Sequence, residues 1–320
     1  MHKRSIAALI AAPAVILALA GCQSTDAAEQ SDALTIVAST NVYGDIATAI
    51  AGDAADVTSI IDSSAQDPHS YEASAQDRLA VSKADIVIEN GGGYDGFMDD
   101  LIGDSDPAIL NASELSGLMP DADEHEHADE ESHEEGHEHE GHDHIEGFNE
   151  HVWYNFDAMG HLAEHIAEEL SDIDPDNAGT FDDNYADFSA QLESLHESLH
   201  TIGDTAEGAA VLITEPVPLY LLDDAGLDNK TPEAFSEAVE EGTDVSASAM
   251  QEMLGLVESG DIALLAYNEQ TSGPITEKVK DAAESADVPV VSFTETLPDG
   301  EGYISWMTAN IDSLSEVFAA

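Results

Sequence analysis

The sequence predicts an α/β fold with two lobes, each built on a parallel sheet, joined by one long helix. Strand and helix patterns alternate in two separate runs, and such alternation favours parallel sheets. Between the runs, residues 178–202 carry apolar side chains every three or four positions over most of their length, as an amphipathic helix does. At 320 residues, the chain is long enough for two domains with separate cores.

The first run of the alternation occupies the N-terminal third of the chain. Residues 34–38 (LTIVA) are mostly apolar and predict a strand, and Thr40 is a suitable N-cap for the helix that follows. Three consecutive glycines at residues 91–93 predict a turn. The predicted strands of this run are 34–38, 57–61, 84–89 and 108–110, and the predicted helices are 41–51 and 78–82.

The second run follows the long helix. Pro175 interrupts the helical pattern, so residues 156–170 form a separate helix before it. The predicted strands are 209–213, 262–267 and 288–293, and the predicted helices are 219–224, 246–258, 275–285 and 304–318. We therefore expect an N-terminal lobe at residues 33–175, a linking helix at 176–203 and a C-terminal lobe at 204–320.

The N-terminus has the pattern of an export signal. Residues 1–21 combine a basic head, an apolar run and small residues, which is typical of a signal peptide. The sequence LAGC at residues 19–22 resembles a bacterial lipobox, which implies cleavage before Cys22 and a lipid on its thiol. The alternative is an ordinary signal peptide with a chance cysteine. With the lipid attached to Cys22, residues 22–32 would tether the protein outside the cytoplasmic membrane. Because Cys22 is the only cysteine, an intrachain disulfide and a thiolate zinc cluster are excluded.

The charge balance is extreme. The chain has 68 acidic residues against 7 basic ones, for a formal net charge of -61. A polyanion of this kind is a poor partner for nucleic acid and attracts cations. The acidic residues are spread through every segment, and an acidic surface adapted to high salt is one explanation of this charge.

One segment is both acidic and rich in histidine. Residues 121–146 contain seven histidines and thirteen acidic residues, without lysine or arginine. Imidazole is a common ligand for borderline divalent metals, and the carboxylates raise the local cation concentration. Such a composition cannot bury a core, so we expect a loop that contacts metal loosely, the alternative being a solvated low-complexity insert.

Four residues with metal-ligating chemistry follow predicted strands. His69, Glu215 and Glu295 come after the strands at 57–61, 209–213 and 288–293, and His151 follows the histidine-rich insert behind the strand at 108–110. In open α/β sheets, ligands gather beyond the carboxyl ends of strands. Two of the four residues come from each lobe, so a cation can be held in the cleft between the lobes. Two imidazoles and two carboxylates suit zinc, manganese or iron(II).

Several motifs together resemble a known family. DPHSYE at residues 67–72, EHVW at 150–153 and YISWMTAN at 303–310, with the histidine-rich loop and the long helix, are similar to the zinc/manganese-receptor lipoproteins of ABC importers. The resemblance covers essentially the whole mature chain. It implies two lobes bridged by a rigid helix, a metal between them, and His69 and His151 as ligands. It also implies an ABC permease as partner, a lipid anchor and a monomeric receptor.

The remaining ligand positions depart from the zinc members. Many zinc members carry histidine at the third position, whereas Glu215 is closer to the glutamate of manganese members. Glu295 stands where the family commonly has aspartate. Glu269, after the strand at 262–267, is the alternative fourth ligand; if it is not a ligand, we expect it next to the ligands. We favour zinc as the cargo because histidine-rich loops accompany the zinc members; manganese is the alternative.

Two other classes of function compete with the receptor. A secreted zinc hydrolase would also use histidine and glutamate ligands, and such enzymes are expected to carry them on a His-Glu-x-x-His helix. His161 and His165 stand four residues apart with the wrong glutamate spacing, so we interpret them as helix-surface residues. An adhesin-like surface protein would use the same fold without transport. The resemblance to the receptors of ABC importers favours a binding protein over an enzyme.

Overall fold

The computed structural model describes residues 33–66, 68–103, 105–120, 145 and 147–319. The predicted signal peptide, Cys22, the tether and all of the histidine-rich run except Ile145 lie outside the described residues. The strands are β1 (Leu34–Thr40), β2 (Ala55–Ile61), β3 (Ile86–Glu89), β4 (Ala108–Asn111), β5 (Ala210–Ile213), β6 (Asp228–Asn229), β7 (Leu264–Asn268) and β8 (Val290–Phe293).

The helices surround two sheets. They are α1 (Asn41–Ala51), α2 (Ala75–Val81), α3 (Phe97–Ile102), α4 (Ala112–Leu115), α5 (Phe156–Ile173), α6 (Ala178–Ala206), α7 (Leu219–Asp224), α8 (Glu233–Glu240), α9 (Ala247–Val257), α10 (Pro274–Ser285) and α11 (Tyr303–Phe318). One sheet has the order β2-β1-β3-β4 and the other β6-β5-β7-β8, and all the pairings are parallel. The predicted α/β fold with two parallel-sheet lobes is confirmed.

Both sheets are covered by helices on both faces, as parallel sheets usually are. In β1, Ile36 and Ala38 join the largest hydrophobic cluster, whereas Val37 joins a small cluster with Met98 and Leu101. The C-terminal sheet behaves in the same way, because side chains of successive strand residues point to opposite faces. The central strands β1, β3, β5 and β7 are therefore mostly apolar and buried.

The largest core is shared by the two lobes. The cluster contains residues of both sheets together with the buried face of α6, from Phe181 to Ile202. The sequence predicts a separate core for each lobe. Among the described residues, however, only two smaller clusters, one on each sheet, are confined to a single lobe. The amphipathic spacing in α6 explains the difference, since its apolar stripe is long enough to pack against α1, α5 and α11 at once.

Hydrogen bonds also join the two lobes. Asn41 exchanges two with Leu297, at 3.1 and 3.0 Å, and Tyr154 donates to the carbonyl of Thr294 at 2.8 Å. Asp45 accepts from the backbone N–H of Tyr303 at 2.7 Å. These four hydrogen bonds connect the two lobes in addition to the shared core.

Most predicted elements are present, and the differences are local. The helices predicted at 41–51 and 219–224 have the same bounds in the structure, and α6 extends four residues further than the pattern at 178–202. Four short elements, α3, α4, β6 and α8, are not predicted by the sequence patterns. In the part of the chain that the structure describes, no helix combines the length and apolar character that crossing a membrane requires.

Candidate metal centre

Two histidines of the N-terminal lobe face the cleft. His69 lies in a 3-10 turn, Pro68–Ser70, in the loop that follows β2, and its ring packs edge-on against Tyr94 with centroids 4.8 Å apart. His151 immediately precedes a 3-10 turn at Val152–Tyr154 and is fully buried. The two imidazole centroids are 6.3 Å apart.

Asn149 orients the imidazole of His151. Its side-chain oxygen lies 2.7 Å from Nδ1 of His151, while its amide nitrogen donates to the carbonyl of Pro216 at 3.1 Å. An amide oxygen only accepts, so Nδ1 carries the proton and Nε2 presents its lone pair. Nε2 points towards Glu240, 3.4 Å away. In metal-binding histidines, the ring nitrogen that does not bind the metal typically donates a hydrogen bond, as Nδ1 of His151 does here.

Glu295 is the buried carboxylate nearest to His69. It follows β8, is 1% exposed, and lies 3.5 Å from Nε2 of His69. Tyr94 donates to one of its oxygens at 3.1 Å and Asn268 to the other at 2.8 Å. Burial alone would raise the pKa of Glu295, but the hydrogen bond and charge of His69, with smaller effects of His151 and Asn268, lower it below its ordinary value.

Glu215 lies beside Glu295 in a polar cradle. It follows β5, is 3% exposed, and accepts from the side chains of Asn268 and Thr271, the latter at 2.6 Å from one of its oxygens. Burial raises the pKa of Glu215 to about 7, although the two hydrogen bonds and His69 act in the opposite direction. Asn268 therefore bridges two carboxylates, a role that its sequence pattern did not indicate.

Glu240 is a further carboxylate that the sequence analysis missed. It is the last residue of α8, and its carboxylate lies 3.9 Å from His69 and 3.4 Å from His151. Its side chain is 10% exposed. Glu150, next to His151 in the EHVW motif, is also buried and can join a group with His69 and Glu240.

The other sequence candidates lie elsewhere. The side chain of Glu269 is 52% exposed, contacts Lys280 at 3.6 Å and accepts from Ser292, so it does not approach the histidines. Its neighbour Asn268 points inward instead. His161 and His165 lie on the outer side of α5, as predicted, and His165 contacts Glu168 at 3.3 Å.

The cleft therefore brings three of the four sequence candidates together. Ligand atoms of His69, His151 and Glu295 lie within 4.8 Å of one another, with Glu215 attached to Glu295 through Asn268. Imidazole nitrogen and carboxylate oxygen are the donors that zinc, manganese and iron(II) accept. Buried carboxylates next to one another are costly without a balancing cation, so the arrangement can hold a divalent metal.

Two α/β lobes around a cleft lined by imidazoles and carboxylates define a metal-binding solute receptor. A sequence profile described as ZnuA, zinc-uptake complex component A, periplasmic, matches residues 36–317. The chain belongs to this family, which confirms the resemblance drawn from its motifs. The family consists of solute-binding proteins of ABC importers, so the hydrolase alternative is set aside.

Relatives that are named for three different metals are similar to the chain. The zinc-binding lipoprotein AdcA of Streptococcus pneumoniae is 28% identical over 278 residues, 83% of this chain and 52% of that protein, so the chain spans about half its length. The manganese transporter lipoprotein scaA of Streptococcus gordonii is 26% identical over 343 residues. The iron transporter lipoprotein MtsA of Streptococcus pyogenes serotype M1 is 28% identical over 344 residues. The last two matches cover both chains in full.

Solved structures have the same fold. A crystal structure of ZnuA matches with a TM-score of 0.66 and 19% identity, covering 90% of this chain and 99% of that one. The manganese complex of FpvC from Pseudomonas aeruginosa matches with a TM-score of 0.68 and 20% identity, covering 89% and 98%. At these identities the likeness concerns the fold alone.

Proposed function

We propose that the protein captures zinc outside the cytoplasmic membrane and delivers it to an ABC permease. The observation that carries this proposal is the convergence of His69, His151 and Glu295 in the cleft, with Nε2 of His151 oriented by Asn149. Family membership supports the receptor role. The cargo and the ligands are our inference from the chemistry of these side chains.

In this proposal, His69, His151, Glu215 and Glu295 are the metal ligands. Two imidazoles come from the N-terminal lobe and two carboxylates from the C-terminal lobe, so the cation joins the lobes. Glu240 supplies a third carboxylate close to both histidines. Imidazoles that coordinate a metal are unprotonated and cannot offset buried negative charge, so a divalent cation is the ligand that best balances this cleft.

Manganese is the second candidate cargo. Glu240 favours it, because a third carboxylate shifts the donor set towards oxygen, which harder ions prefer. Zinc nevertheless binds more tightly than manganese to almost any site of nitrogen and oxygen donors. A higher affinity for zinc in a binding assay is therefore expected under both hypotheses and does not identify the cargo.

The cargo is identified by uptake. A strain that lacks the protein should accumulate less zinc in zinc-depleted medium, and normal manganese accumulation should persist in manganese-depleted medium. The reverse pattern would assign manganese, and unchanged uptake of both metals would contradict the transport role. Variants His69→Ala and His151→Ala should fail to restore uptake. His165→Ala is the matched control, since it removes an imidazole from the outer side of α5 and should restore uptake fully.

We also propose that Cys22 carries a lipid that anchors the receptor to the membrane. The LAGC sequence at residues 19–22 supports this, and the relatives named above are called lipoproteins. Cys22→Ala should move the protein from the membrane fraction to the soluble fraction, because the acyl chains would have no attachment point. Retention in the membrane fraction would contradict the anchor.

A further inference from the structure

A second group of metal-ligating side chains lies outside the cleft, where α6 meets α7. His196 and His200 stand four residues apart on α6 in the sequence His-Glu-Ser-Leu-His, the spacing of a zinc-binding helix, and Asp224 is the last residue of α7. Nε2 of His196 is 2.9 Å from a carboxylate oxygen of Asp224. Ligand atoms of all three residues lie within 4.8 Å of one another.

The helix geometry places the two imidazoles side by side. Residues four apart lie on the same face of a helix, and the two rings stack with centroids 4.9 Å apart and planes 10° from parallel. The side chains of His196 and Asp224 are each 31% exposed and His200 is exposed, so a cation can enter without opening the fold.

The distances suit a small divalent ion. With metal bonds of about 2.0–2.1 Å, two ligands of a tetrahedral zinc ion are about 3.3 Å apart. The contact between His196 and Asp224 would therefore widen by about 0.4 Å from 2.9 Å, which side chains that are 31% exposed allow. Two imidazoles and one carboxylate leave a fourth position for water.

The surroundings add negative charge. Asp157 and Asp223 line a pocket of about 220 Å³ together with His196 and Asp224. Carboxylates on one side of a concave surface raise the local concentration of cations. By contrast, the other histidine pair of this spacing, His161 and His165 on α5, does not form a three-residue group among the described residues.

We propose that His196, His200 and Asp224 form a second binding site for zinc or a similar borderline divalent metal. The site shares no residue with the cleft between the lobes, and it bridges the linking helix and α7 of the C-terminal lobe. Bound metal would fasten α7 to α6. Tyr220 of α7 donates to the carbonyl of Asn149 at 2.8 Å, so this helix also contacts the segment that orients His151.

The experiment follows individual imidazoles, because the histidine-rich run also contains ligands. The mature full-length protein, labelled with nitrogen-15 in histidine, is first loaded with one equivalent of zinc and then titrated with zinc chloride. The ring nitrogen signals of His196 and His200 are assigned from His196→Gln and His200→Gln. Both signals should shift together along one binding curve, and each single variant should abolish the shift of the remaining histidine at low zinc.

The carboxylate is tested by Asp224→Asn. This variant should weaken the joint curve by at least about tenfold, since even the loss of a residue that only supports a ligand has that effect. The matched control is Glu168→Gln, which removes the carboxylate beside His165 and should leave the curve unchanged. Separate curves for His196 and His200, affinities equal to those of His161 and His165, or no effect of Asp224→Asn would each overturn the proposal.

Discussion

Replacing Asn268 with leucine tests whether the cleft is built around buried carboxylates. The amide of Asn268 donates to Glu215 and, at 2.8 Å, to Glu295, and these residues are 3% and 1% exposed. Water cannot replace the lost donors at such depth. Hydrogen bonds to charged groups contribute about 1.5–3 kcal/mol each, so the metal-free variant should lose about 3–6 kcal/mol of unfolding free energy at pH 8.

The assay is urea unfolding in the presence of a chelator, with Asn184→Leu as the matched control. Asn184 donates to the neutral carbonyl of Ile50 at 2.8 Å, so the control should lose only about 1 kcal/mol. The pKa of Glu215 is about 7, so at pH 5.5 one of the two bonds of Asn268 becomes a neutral one and the loss should shrink. If Asn268→Leu is no more destabilised than Asn184→Leu at pH 8, the account of the cleft is wrong.

Three further predictions address pH, selectivity and the insert. Burial, and then the charge of Asp95, raise the pKa of Glu89 from 4.5 to about 7, so its contribution to stability is present below pH 4.5 and is lost as the pH rises through 7. In urea unfolding, the free energy of unfolding of Glu89→Gln should therefore be about 1–2 kcal/mol higher than that of the parent at pH 8 and equal to it at pH 4. Equal stability at pH 8 would refute this. Glu215→His should raise the preference for zinc over manganese in competitive titration, because imidazole suits the softer ion, and an unchanged ratio would contradict its role as a ligand. Deleting residues 121–146 should remove weak metal equivalents in equilibrium dialysis yet keep one tight site; loss of the tight site would refute a merely auxiliary role.

Much of the fold and part of the site follow from simple patterns. The long apolar stripe of α6 predicts the linking helix, and the alternation of strands and helices predicts both sheets. His69 and Glu295 were found because they follow the carboxyl ends of parallel strands, where loops of an α/β sheet converge. These signals depend on periodicity and topology, which a sequence displays directly.

The missing parts depend on side-chain direction and on a weakly marked helix. Glu269 and Asn268 are neighbours at the end of β7, and a shift of one residue reverses which of them faces the cleft. Glu240 was missed because α8 is eight residues long and buries only Phe235, so its apolar pattern is weak. Nothing in the sequence around Glu240 indicates that its carboxylate reaches two histidines of the other lobe.

Anomalous diffraction would show whether one metal is held between the lobes by His69, His151 and Glu295. Crystals of the full mature chain loaded with one equivalent of zinc should give their strongest zinc-edge peak in the cleft. The peak should lie about 2.0–2.2 Å from Nε2 of both histidines and from a carboxylate oxygen of Glu295. Absence of zinc from the cleft at one equivalent, or zinc coordinated there without either histidine, would contradict the account.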